Sequence, residues 1–173
     1  MNKTLLHIIR FVVLVLVQVL LVNHIRLGGY VHPYVYILFV MLLPINITNW
    51  QLLLLGFGLG FCVDMFTGTP GLHAGATTLM AFCRPAILRL VSGSQKLENV
   101  HEPDLGQLGG GWFLRYVLFL VVIHHFALFL LESFSFRLLG QVLLRILLSV
   151  PVSVFLIMMI LYLFKRDKKN EAL

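Results

Sequence analysis

Apolar residues fall along this chain in long blocks, neither alternating as in a half-buried strand nor striped as on a surface helix. Six blocks stand out: residues 5–22, 33–47, 51–66, 72–91, 112–131 and 142–164. A helix needs about 20 residues to cross a hydrocarbon core roughly 30 Å thick, and fewer where flanking side chains snorkel. The first block is broken only by His7, Arg10 and Gln18, and the second is short and interrupted by Pro44. The fifth is the cleanest, and Pro151 predicts a kink in the sixth. The pattern predicts an all-α integral membrane protein, with six transmembrane helices in one bundle and a single polytopic domain over residues 1–173.

Composition removes the soluble alternative. Of 173 residues, 60% are hydrophobic and 12% charged, against roughly 25% charged in an ordinary soluble domain. The mean hydropathy is +0.96. The longest polar stretches are residues 92–111, expected as a cytoplasmic loop, and the basic tail 165–173. Lys3 and Arg10 precede an apolar run with no small-residue cleavage site after it, so the first segment is expected to stay in the mature chain.

The net charge of +6 does not call for nucleic acid, because basic residues flank membrane segments on the cytoplasmic side. With the N-terminus inside and six crossings, Lys3, Arg10, Arg84, Arg89, Lys96, Arg115, Lys165, Arg166, Lys168 and Lys169 gather on one side. Only Arg26, Arg137 and Arg145 fall on the other. Both termini are therefore expected in the cytoplasm, with Arg89 and Arg84 near lipid head groups or, for Arg84, facing the bundle interior.

Catalytic and metal patterns are sparse. Adjacent His124 and His125 would point about 100° apart on a helix, and no His-x-x-x-His pair occurs. His101-Glu102-Pro103-Asp104 lacks the second histidine of a zinc protease. No Gly-x-Ser-x-Gly occurs, and Gly109-Gly110-Gly111 lacks the context of a phosphate loop. Cys62 and Cys83 read as small core residues. Asp64 and Glu132 are the acids near the membrane, and each stands alone; an aspartic dyad would require them to meet. Charges at membrane depth usually have partners. The candidates here are Glu132, Arg137, Arg145 and Arg84, with Asp64–Arg145 or Glu132–Arg145 as possible pairs. No catalytic residue, cofactor or metal site is expected.

The densest polar stretch is CVDMFTGTPGLHAG, residues 62–75. Gly68, Pro70 and Gly71 predict a turn between the third and fourth helices. Gly56 and Gly60 share a helix face, and Gly71 and Gly75 are spaced to continue it, so the two helices are expected to form a close hairpin. Asp64 lies about one turn inside. Its expected partners are Arg145, or the threonine hydroxyls and backbone N–H groups at the start of the fourth helix.

The run GFGLGFCVDMFTGTPGLHAGATTLMAF resembles the signature region of the bacterial rod shape-determining protein family MreD. The flanks LLVNHIRLGGYVHPYVYILFVMLLP, FCRPAILRL and LVVIHHFALFLLESFSF resemble its Bacteroidetes branch, in order over nearly the whole chain. Asp64, Gly68, Pro70, Gly71 and Gly75 match the family's motif positions; Thr69 and His73 match this branch's version. The resemblance implies a fold similar to the substrate-binding membrane subunits of ECF vitamin transporters. It also implies a non-enzymatic scaffold of peptidoglycan elongation, binding the bitopic protein MreC and working with MreB, RodA and a class B penicillin-binding protein. The alternative is a small-molecule-binding subunit of an ECF-type transporter, although residues 11–21 are bulky and β-branched where such subunits carry an alanine-rich motif.

Overall fold

The computed structural model describes residues 3–25, 29, 31–93, 97, 100–133 and 139–164. These form α1 (Lys3–Leu20), α2 (Leu38–Met41), α3 (Asn49–Thr67), α4 (Leu72–Ser92), α5 (Leu105–Leu108), α6 (Gly110–Ser133) and α7 (Leu139–Leu163). Helix α1 continues through a tight turn, Val22–His24. Five helical segments are long and apolar enough to cross a membrane, which marks a multi-pass membrane protein. Helix α3 packs on α4, α4 on α6, and α6 on α7, while α1 touches α3. Large apolar side chains such as Leu20, Leu54, Phe82, Leu147 and Phe155 stand exposed around the outside, as lipid contact requires.

The second apolar block departs from the expected helix. Only Leu38–Met41 is helical within residues 33–47. Residues 32–35 have no regular structure on one side of it and Pro44 ends it on the other, because proline disfavours helical backbone at the residue before it. Yet residues 35–41 are all at most 3% exposed. The block is thus apolar because it is enclosed on every side, a state that hydropathy alone does not separate from a lipid-facing helix. Irregular backbone is tolerated at membrane depth only where protein groups satisfy its N–H and C=O groups.

Those groups come from four helices. Gln18 of α1 does most at the irregular end: its Oε1 accepts from the N–H groups of Val35 (2.8 Å) and Tyr36 (3.4 Å), and its Nε2 donates to Pro33 O (3.2 Å). On α7, Ser149 Oγ accepts from His32 N and Ser153 Oγ from Tyr34 N, both at 3.0 Å.

At the other end the carbonyls of Met41, Leu43 and Pro44 accept from the Arg84 guanidinium of α4. Tyr116 of α6 adds a bond to Met41 O at 3.0 Å. The segment then leaves the bundle where Ile45 N donates to His101 O at 2.8 Å. Residues 32–45 therefore run from the end of the bundle marked by Asn23 and the α3–α4 turn to the end marked by His101.

Candidate functional site

The α3–α4 hairpin is closed by close backbone approach and by one carboxylate. A Cβ on Gly60 would stand 2.6 Å from the Ala74 Cα, and one on Gly56 would stand 2.9 Å from the Ala81 Cβ. Neither space admits a methyl group, so these two glycines set the helix separation. The second glycine pair behaves otherwise. A Cβ on Gly71 would meet nothing within 4 Å, and its φ is +88°; a Cβ on Gly75 would stand 3.2 Å from Leu131 Cδ1 of α6. Gly71 is therefore a turn residue and Gly75 belongs to the α4–α6 contact. They do not continue the face that Gly56 and Gly60 form.

Helix α3 ends at Gly68, whose φ of +69° suits a left-handed cap and whose N–H donates to Asp64 O at 2.9 Å. Pro70 is exposed in the turn. Gly71 caps α4 but has no side chain to satisfy that helix's first amides. Asp64, 2% exposed, supplies the acceptors from the preceding helix. Its Oδ2 accepts from Gly71 N (3.0 Å) and Ala74 N (2.9 Å), and its Oδ1 accepts from His73 N (3.0 Å) and Thr69 Oγ1 (2.9 Å). A buried anion is thus held by four donors at the positive end of a helix.

Arg145 does not pair with Asp64. Its Nη1 and Nη2 grip Glu132 side by side at 3.0 and 3.3 Å, and its guanidinium lies 4.4 Å over the Phe129 ring. Arg137, the remaining candidate partner, lies outside the described residues. Asp64 and Glu132 therefore occupy separate hydrogen-bonded settings and form no dyad. Arg84, 1% exposed, faces the bundle interior as described above and also donates to Tyr116 Oη at 2.9 Å.

A polar seam that the sequence did not assemble runs under the hairpin tip. Tyr36, fully buried, brings its hydroxyl to His124 Nε2 (2.8 Å), His73 Nδ1 (3.0 Å) and Thr77 Oγ1 (3.0 Å). One proton arrangement satisfies all three: the phenol accepts from His124 Nε2–H and from Thr77, and donates to His73 Nδ1. His124 Nδ1, which has no partner among the described residues, is then a bare acceptor, the cheaper group to leave unpaired. His125 Nδ1 lies 2.8 Å from Val121 O and must be its protonated nitrogen. Nε2 then accepts from Ser153 at 3.0 Å, and Ser153 in turn accepts the Tyr34 amide.

Tyr34 sits among these rings, edge-on to His73 at 5.2 Å and to His124 at 5.6 Å. It also lines a cavity of about 440 Å³ with Asn23, His24, Thr67, Thr69 and His73. The available sequence signals were weak: Gln18 alone in an apolar block, Ser149 and Ser153 four apart, and paired histidines. None of them identified residues 32–36 as the common partner.

No metal-holding group of histidine, cysteine or carboxylate side chains occurs among the described residues. No family model, curated protein or solved structure matches the chain.

Proposed function

We propose that this chain is a non-enzymatic inner-membrane scaffold of the cell-elongation machinery, docking the transmembrane helix of an MreC-like bitopic protein. Through that partner it would act with MreB, RodA and a class B penicillin-binding protein. The family resemblance of residues 56–82 motivates this function. The observation that carries the docking surface is the outward face of α3. While Gly56 and Gly60 are committed to α4, Leu54, Phe57, Phe61 and Met65 are exposed on the opposite face. Gly58 lies among them with nothing within 4 Å of where its Cβ would stand, and Phe57 and Phe61 stack at 5.9 Å. A stiff aromatic ridge beside a glycine notch suits helix-on-helix packing in lipid, where small residues permit close approach.

In this reading the chain crosses the membrane six times, the second time through the enclosed residues 32–45, with both termini cytoplasmic. The lysine and arginine asymmetry of the sequence supports that orientation.

The test is affinity capture from membranes with Gly58→Trp beside the native chain. The native chain should recover an MreC-like protein, Gly58→Trp should lose it without a change in melting temperature, and depletion should round the cells. Cells that keep their shape, together with capture of no such partner, would refute the proposal.

A second reading has one specific observation in its favour. The cavity beside Tyr34 and His73 is polar-lined and opens at the end of the bundle that the orientation places outside, as a small-molecule-binding ECF-type subunit would need. Screening vitamins and related small molecules for a concentration-dependent rise in melting temperature decides it; a flat response across the screen removes it.

A further inference from the structure

At the His101 end of the bundle lies a second cavity, of about 260 Å³. Its polar lining is Asn49, Arg84 and Arg89, and Ile47, Leu52 and Leu88 supply apolar walls. Arg84 is buried, yet every group it donates to is neutral: Tyr116 Oη and the carbonyls of Met41, Leu43 and Pro44. These bonds use four of its five N–H groups, leaving one on Nη1. No carboxylate among the described residues pairs with it; Glu102 is held by His7 and Arg10, and Glu132 by Arg145. Carbonyl dipoles at the end of α2 solvate the guanidinium without cancelling its charge. A full positive charge in a poorly polar setting draws an anion.

We propose that this cavity binds the phosphate group of an anionic amphiphile, seated between Arg84 and Arg89, with apolar chain against Leu52 and Leu88. The volume suits a head group and excludes a whole lipid. Arginine's planar fork favours phosphate, and the apolar wall favours a ligand with a tail over a free ion. The site is independent of the scaffold reading, because it involves neither the hairpin nor the outward face of α3.

The test reconstitutes the purified full chain in phosphatidylcholine nanodiscs, titrates phosphatidylglycerol, and follows melting temperature and bound lipid by native mass spectrometry. Saturable binding is expected. Arg89→Gln, an exposed position that leaves the Arg84 network intact, should weaken it about fivefold, the worth of one basic residue near a lipid surface. Arg84→Lys should weaken it further if the protein folds; Arg89→Gln carries the test if it does not. Equal retention of phosphatidylglycerol and phosphatidylcholine, or no effect of Arg89→Gln, overturns the proposal. Stabilisation by inorganic phosphate alone, equal to that by phosphatidylglycerol, overturns the amphiphile in favour of a soluble phosphate. Glu98 neighbours the lining residue Leu97. Binding that is absent in the native chain and emerges in Glu98→Gln identifies an internal counter-ion and overturns the proposal as well.

Discussion

Asp64 and Ala74 lie ten residues apart in sequence and 2.9 Å apart in space, carboxylate Oδ2 to amide N. A residue of one helix thereby caps the next. The usual N-cap reaches its own helix's second or third amide; here the capping position is Gly71, chosen for its backbone, and the acceptor comes from seven residues earlier. Asp64→Asn keeps one oxygen but turns an NH₂ toward two N–H donors. It should cost about 2 kcal/mol, the penalty of buried donors left unmatched. Reversible unfolding in mixed micelles checks the figure, and an unchanged midpoint would show that water can replace the carboxylate.

The glycines of the hairpin separate by the same kind of geometry. Gly60→Ala places a methyl group against the Ala74 backbone and should lower stability by about 1–3 kcal/mol, the range for overpacking. Gly58→Ala, two residues earlier on the opposite face and open to its surroundings, should be neutral or stabilise by up to about 1 kcal/mol through helix propensity. Melting temperatures of the two variants, compared side by side, test whether close packing or glycine content matters.

Glu132 and Arg145 form the most visible ion pair, but its surroundings limit its worth. The Glu132 side chain is 43% exposed, so a double-mutant cycle of Glu132→Gln and Arg145→Gln should return no more than about 1 kcal/mol of coupling. Arg145→Gln alone should cost more than Glu132→Gln alone, since it also gives up the contact with the Phe129 ring. Equal single-variant losses would remove the ring's contribution.

Helix positions were legible because each long span is one apolar block, and the hairpin was legible because Gly68, Pro70 and Gly71 punctuate it. Two of the partners open for Asp64, threonine and backbone amides, were read from proximity in sequence alone. Residues 33–47 failed for a physical reason: burial inside a bundle and burial in lipid select the same apolar residues. What distinguishes them is the supply of hydrogen-bond partners, and those sit 15 residues away at Gln18, 40 to 43 away at Arg84 and nearly 120 away at Ser149 and Ser153. No local pattern could connect them. The second glycine pair failed because spacing reports a shared face and not which neighbour that face meets.

Gln18 offers the sharpest test of the enclosed segment. In a plain helical span an isolated glutamine contributes little, about 0.6 kcal/mol when its partners are other side chains. Here its amide satisfies three backbone groups that have no helical partner: Val35 N–H, Tyr36 N–H and Pro33 C=O. Gln18→Leu roughly preserves size and leaves the apolar block unbroken, but it orphans them in a dry interior. The expected loss is therefore larger, about 2–4 kcal/mol, and hydrogen exchange should rise first at Val35 and Tyr36. Ser153→Ala provides a comparison, because it releases the Tyr34 amide and His125 Nε2 but not the residues that Gln18 holds. If Gln18→Leu costs no more than Ser153→Ala and leaves exchange at Val35 unchanged, the irregular stretch is held by packing of its side chains, and glutamine's hydrogen bonds are incidental to it.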